Sequence, residues 1–175
     1  MSFDVVVAAD LDWGIGKQDG LPWPRLRGDL AHFKRITSEA APGARNAVVM
    51  GRRTWESKEV AGRPLPNRLN VVISRGALAV PDGVVAARSL DEAIAVGGVA
   101  NVFVVGGAQI FREAFAHAAL RWVYLTRIQG RFACDTAIPD LDALGFQPAA
   151  WAGAQELEDN GVRYRIERLT PRPGT

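Results

Sequence analysis

Four short runs, Val5–Ala9, Ala47–Met50, Val71–Ile73 and Val102–Val105, constrain the fold more than anything else in this chain. Each is wholly apolar and rich in β-branched residues, and three lead straight into Gly51, Ser74 or Gly106. A strand with one wet face alternates apolar and polar residues. These runs do not, so both of their faces must be covered. Helical patterns lie between them, near residues 28–37, 53–59, 90–96 and 108–118, and this alternation predicts an α/β fold with a mostly parallel sheet. The end of the chain follows another rule. Trp122–Ile128 reads as a strand, and residues 154–158 and 162–169 flank Asp159-Asn160-Gly161, where Asn-Gly signals a tight hairpin. Val162, Tyr164 and Ile166 alternate with Arg163, Arg165 and Glu167, so a half-buried antiparallel hairpin should edge the sheet. Residues 1–170 are expected to form one domain, with 171–175 as a frayed tail.

Composition narrows the partners. Hydrophobic residues make up 48% and charged residues 23% of the chain, which suits a substantial core and argues against disorder. The 21 Lys+Arg nearly balance 19 Asp+Glu, and no stripe of basic residues interleaved with aromatics is present. That argues against a nucleic-acid-binding module. The single cysteine, Cys134, has no intrachain partner, as befits a reducing compartment. No basic segment followed by an apolar one opens the chain, and no run approaches the ~18 apolar residues of a membrane span. The expectation is a cytoplasmic monomer with no membrane partner and no metal.

The segment WGIGKQDGLPWPRLRGDLAHFKRI, residues 13–36, carries the first chemistry. On a helix, Asp29 shares a face with Phe33 and Ile36. A carboxylate among apolar side chains is costly to ionise unless a cation or hydrogen-bond donor meets it. Asp29 is therefore a candidate for recognising a protonated or amidine-like ligand. Equally, it reads as a first-turn acid favoured by the helix dipole.

Two further segments suit phosphates. Gly51-Arg52-Arg53-Thr54 and Gly106-Gly107-Ala108-Gln109 each follow a strand and open a helix, where free N–H groups and a partial positive charge bind anions. Neither has the three-glycine dinucleotide fingerprint, nor a clear ribose-binding acid about 20 residues on. Instead, Val71–Ile73 ends in Ser74-Arg75, a hydroxyl and a cation suited to a 2′-phosphate, which favours NADPH over NADH. Taken singly, each glycine is as readily a turn residue and each arginine a solvated charge.

The segment 13–36 resembles the start of dihydrofolate reductase. The resemblance continues through GRRTWES (51–57), RPLPNRLNVVISR (63–75), FVVGGAQIF (103–111), YLTRI (124–128) and CDTAIPD (134–140), in the order and spacing of that family. It implies a single-domain dihydrofolate-reductase-like fold, a mixed, mostly parallel eight-stranded sheet with helices on both faces. It also implies reduction of 7,8-dihydrofolate by NADPH, with hydride transfer to pterin C6 and protonation at N5 in tetrahydrofolate metabolism, and sensitivity to antifolate-type molecules. Asp29 would bind the pterin 2-amino and N3 groups, hydrogen-bonded by Thr126, with a water held by Trp23. It would favour N5 protonation electrostatically, a water relaying the proton. Val6, Ala8, Leu30, Phe33 and Val105 would wall the pocket, Leu21 would lie on a flexible cover loop, and Arg68 would pair with the carboxylate of the glutamate tail. The cofactor would lie along Ala8, Ile15, Gly16, Gly51, Arg52, Arg53, Thr54, Ser74, Arg75, Gly106, Gly107, Ala108, Gln109, Ile110 and Phe111, with Gly106-Gly107 joined by a cis peptide. Val6, Leu30 and Phe33 would be core residues in almost any fold.

Three positions depart from the commoner family pattern. Phe111 stands where many relatives carry tyrosine, Cys134 takes a small-residue position in the loop that supports the cover loop, and Lys58 falls at the outer lip of the pocket. His32 and His117 have no motif role and read as packing or surface residues. The enzymatic rival is the pyrimidine reductase of riboflavin synthesis, which shares fold and cofactor but lacks Leu21-Pro22-Trp23 with a helix carboxylate. No fused thymidylate synthase is expected at this length.

Overall fold

The computed structural model describes residues 1–172. In chain order its elements are β1 (Phe3–Ala9), β2 (Gly14–Gly16), α1 (Arg27–Ser38), β3 (Ala47–Gly51), α2 (Arg52–Trp55), β4 (Leu69–Ile73), β5 (Val85–Ala87), α3 (Leu90–Ile94), β6 (Val102–Gly106), α4 (Ala108–Phe115), β7 (Leu120–Ile128), β8 (Thr136–Ala137), β9 (Gln147–Pro148), β10 (Gln155–Asp159) and β11 (Val162–Thr170). Eight strands line up as β10-β11-β7-β1-β6-β3-β4-β5, and the two-residue β9 adds to β11. Pairings from β7 to β5 are parallel, whereas β11 runs antiparallel to both β7 and β10.

The four apolar runs are the four central strands, β1, β3, β4 and β6. Their alternate residues face two cores. Val5, Val7, Val49, Val71 and Val104 pack with Leu90, Ile94, Ile110 and Phe115 of α3 and α4. On the other face, Val6, Phe103 and Tyr124 meet Phe33 and Ile36 of α1, while Val48, Met50 and Val72 meet Trp55 of α2. Helices therefore cover both faces, which is why these strands show no polar alternation.

The C-terminal hairpin follows its sequence signal. Asp159 pairs with Val162 across a two-residue turn in which Asn160 and Gly161 have φ of 50° and 76°. Two left-handed residues in succession make the turn whose twist matches antiparallel strands.

Helix ends are the main corrections. The helix expected over 53–59 stops at Trp55, because the Ser57 hydroxyl and N–H both donate to Thr54 O and so compete with helical pairing. The one expected over 108–118 ends at Phe115, and His117 Nδ1 takes the N–H of Ala119. The helix expected over 90–96 ends at Ile94, before Gly97-Gly98. Strand β5 gave no sequence signal because Val85 and Ala86 are exposed. Of the expected tail, residues 173–175 lie outside the described residues, and the Arg172 side chain lies within reach of Gly145.

Candidate active site

Residues 14–21 form a small structured lid. Strand β2 pairs with β8, and Lys17 and Gly20 exchange two backbone hydrogen bonds around Gln18 and Asp19, both at positive φ. Asp10, 6% exposed, ties its base: its carboxylate accepts from the N–H groups of Asp12, Gly14 and Phe132 and from the Cys134 thiol. Burial opposes ionisation here, but the three backbone donors and the thiol together hold this carboxyl below its usual range. Burial and the neighbouring carboxylate push the Cys134 thiol up to about 11, which keeps it protonated and inert. A Cβ on Gly14 would stand 2.5 Å from Cys134 Sγ, so only glycine fits beneath this thiol.

Farther along the lid, Gln18 N donates to Asp135 Oδ2 at 2.9 Å, as the expected supporting role of that loop requires. At the opposite rim, Lys58 takes the outward of the two orientations that the sequence left open. It does not line the cleft; its N–H donates to Asp19 O at 3.3 Å and its stem lies beside Gly20. Glu59, missed in the sequence, lines the cleft instead and accepts from Leu21 N at 2.9 Å, while Val60 supplies the apolar wall.

Beneath the lid is a cleft of about 410 Å³. Val6, Ala8, Leu30, Phe33 and Val105 line it, and so do Ile15, Gly16, Thr54, Gly106 and Phe111. Asp29, half-buried in the first turn of α1, faces this cleft. Thr126 on β7, 2% exposed, donates its hydroxyl to Asp29 Oδ1 at 2.7 Å. Burial raises the Asp29 carboxyl above its usual range, and the Thr126 hydrogen bond offsets part of that rise. Asp19 and Glu59 also line this cleft, so Asp29 is not its only acid, but both are exposed at the rim.

A second cleft of about 490 Å³ adjoins it across Gly107 and Arg53. Gly51, Arg52, Ser74, Arg75, Ala108, Gln109 and Ile110 line it, together with Arg88 and Ser89, which sequence reasoning missed. The pattern Ser89-Leu90-Asp91-Glu92 was the available signal: the Ser89 hydroxyl caps α3 by accepting from Glu92 N, so a third helix N-terminus opens here. Four arginines against one acid, Glu113, make this cleft strongly cationic. Neither Arg75 nor Arg88 pairs with a carboxylate among the described residues. Gly107 caps α4 without a side chain, leaving first-turn N–H groups free, and Gly106-Gly107 is joined by a cis peptide. Added Cβ atoms at Gly106 and Gly107 would lie 2.8 and 3.1 Å from Thr54 Oγ1, so glycine keeps the junction open. These features fit a dinucleotide phosphate chain.

Two expected residues stand back from both clefts. Trp23, 6% exposed, packs edge-to-face on Phe132 with ring centroids 6.0 Å apart. Arg68, 8% exposed, donates from Nε to Pro66 O and from Nη1 to Thr37 Oγ1.

Of the histidines, His117 bonds Asp91, whereas His32 on α1 is buried against Trp151 with Nε2 unpartnered. Burial, aided by Arg35, lowers its pKa from 6.5 to about 4. Between those values the unfolded chain binds a proton that the folded chain refuses, so stability falls as pH drops from about 6.5 towards 4. The expected loss is roughly 2–4 kcal/mol, and His32→Phe should flatten it. Urea unfolding of both proteins at pH 7, 5.5 and 4.5 measures the difference; parallel pH profiles would contradict it.

No helix among the described residues is long and apolar enough to cross a membrane. The dihydrofolate reductase family profile matches residues 2–170. A bifunctional dihydrofolate reductase-thymidylate synthase of Glycine max is 42% identical over 174 residues, covering 93% of this chain and 32% of that protein. The chain thus spans about a third of the length of such plant relatives. A putative dihydrofolate reductase of Human herpesvirus 8 type P is 40% identical, covering 93% of this chain and 82% of that protein. The solved Schistosoma mansoni dihydrofolate reductase superposes with a TM-score of 0.84 at 33% identity, covering 98% of this chain and 99% of that one. Matched by this family profile over nearly its whole length, and by relatives of comparable size in sequence and fold, this chain belongs to the dihydrofolate reductase family.

Proposed function

We propose that this chain reduces 7,8-dihydrofolate to 5,6,7,8-tetrahydrofolate with NADPH. The observation that carries this reading is Asp29, a half-buried carboxylate held by Thr126 in a largely apolar cleft that opens onto a cationic one. A planar pterin fills the apolar part, and its 2-amino and N3 donors match two carboxylate oxygens. When bound, NADPH supplies the hydride.

The chain supplies the rest. Val6, Ala8, Leu30, Phe33 and Val105 sandwich the ring, and the lid over Ile15–Leu21 excludes water, which strengthens the field of Asp29 at the ring. That negative charge favours a proton on N5. The N–H groups after Gly51 and Gly107, with Arg52, Arg53 and Thr54, would hold the dinucleotide's phosphates. Ser74, Arg75 and Arg88 take the 2′-phosphate. The same wall that admits dihydrofolate admits antifolate-type molecules with a diamino edge. We read residues 1–170 as one domain acting as a monomer in the cytoplasm.

Mixing the protein with NADPH and dihydrofolate and following the loss of nicotinamide absorbance tests the activity. No loss beyond that without dihydrofolate would overturn it. Cofactor choice has its own test. A charge-assisted hydrogen bond contributes roughly 1.5–3 kcal/mol, about ten- to a hundred-fold in affinity. Arg75→Ala should weaken NADPH by that factor and leave NADH almost unchanged in a fluorescence titration. Equal losses for both would show that Arg75 reads some other part of the ligand.

A further inference from the structure

Helix α1 begins without a cap of its own: Leu26 at its N-cap position has no side-chain acceptor, so its first N–H groups need partners from elsewhere. One comes from the opposite end of the chain. Asp159, the last residue of β10, accepts the N–H of Gly28 on Oδ2 at 3.0 Å, and the same oxygen accepts the hydroxyl of Tyr164 from β11. Next to it, Asn160 Nδ2 donates to Arg25 O. Gly28 is pressed against this hairpin so closely that a Cβ on it would stand 2.4 Å from Tyr164 Oη and 2.9 Å from Leu157 Cδ1. Gly28 directly precedes Asp29.

The contacts form a closed circuit. Ile166 of β11 pairs in register with Thr126 of β7, and Thr126 holds the Asp29 carboxylate. Two residues earlier on β11, Tyr164 lies under Gly28. Strand β11 thus fixes Asp29 twice, through its carboxylate by way of Thr126 and through its backbone by way of Tyr164 and Asp159. We propose that Asp159 is a positioning residue for Asp29, pinning the first turn of α1 so that the carboxylate stays at the depth where Thr126 and the pterin meet it. Tyr164 holds Asp159 in place; the charge of Arg27 favours its ionised form, and Tyr164 is the titratable group that faces Asp29 from β11.

This inference rests on the proposed reductase activity, so the test separates the two: wild-type turnover of dihydrofolate decides the activity, and the ratio between variants decides the clamp. Asp159→Ala removes the acceptor. Asp159→Asn keeps an oxygen for Gly28 and can donate its amide to Tyr164. In single-turnover reactions with NADPH and dihydrofolate, the Ala variant should transfer hydride about ten-fold more slowly, with NADPH affinity unchanged and the Asn variant within two-fold of wild type. A second readout needs no ligand. In ¹³C-carboxyl NMR of the free protein, the Asp29 titration midpoint should fall in the Ala variant, because a loosened turn lets the carboxyl reach water, and should hold in the Asn variant. An Ala variant with wild-type hydride transfer and an unmoved Asp29 midpoint would overturn the proposal, as would equal losses in Ala and Asn. If the Ala variant does not fold, Tyr164→Phe decides: it loses one of the two holds on the clamp, and a wild-type Asp29 midpoint there counts against the role.

Discussion

Asp29→Asn is expected to fold, to bind NADPH normally, and to lose about 10²–10³-fold in hydride transfer at pH 7. The amide still accepts the Thr126 hydroxyl, so geometry survives while the charge that favours a proton on the pterin does not. Activity should recover in part at low pH, where dihydrofolate arrives already protonated. Stability should move the other way. Burial raises the folded pKa of Asp29 above its unfolded value, so its contribution is largest when protonated and is lost as pH rises through the folded pKa. Above the unfolded pKa, burial of this carboxyl therefore costs stability, and the Asn variant should melt at or above the wild-type temperature. An enzyme that is slower and no less stable is the signature of a functional charge in an apolar wall. Near-normal turnover of the variant at pH 7 would remove Asp29 from the mechanism.

Arg68→Leu is expected to raise KM for dihydrofolate by about ten- to a hundred-fold while sparing inhibitors that lack a glutamate tail. Arg68 is buried, burial lowers its pKa, and its two protein partners are neutral oxygens. No carboxylate among the described residues pairs with it. A buried cation left without an anion is costly, and the carboxylate of the substrate's glutamate tail is the partner proposed for it. Leucine replaces the stem's packing without the charge. Steady-state kinetics with dihydrofolate, beside the Ki of a tail-less antifolate, separate the outcomes; equal losses for both would make Arg68 a structural support for the Thr37–Pro66 corner.

What the sequence revealed and what it hid follow from the range of the interactions. The β-branched runs 47–50, 71–73 and 102–105 are buried on both faces by their own composition, so sheet and parallel order were legible. Asn160-Gly161 determines its turn locally, and the hairpin was legible too. Asp29 could be seen as a carboxylate on an apolar helix face, but its partner Thr126 lies 97 residues away, and only the family resemblance pointed to it. The sequence left open whether Lys58 faces the rim and gave no sign of Glu59, because Ser57 ends α2 early and shifts which side chain points inward. Asp10 showed only as a charge after a strand; its role comes from loops 122–124 residues on.

The hairpin that holds Gly28 also sets an order of events for the growing chain. Residues 1–128 contain every side chain proposed to touch the pterin, yet β11 must emerge before β7 gains its outer neighbour and before Asp159 can reach α1. Contacts of this separation carry a loop-closure cost that local ones do not, and they form late. On the ribosome, the cleft around Asp29 therefore stays unfinished until β11 has left the exit tunnel, and a nascent chain halted before β11 would carry the proposed site's residues without their fixed arrangement.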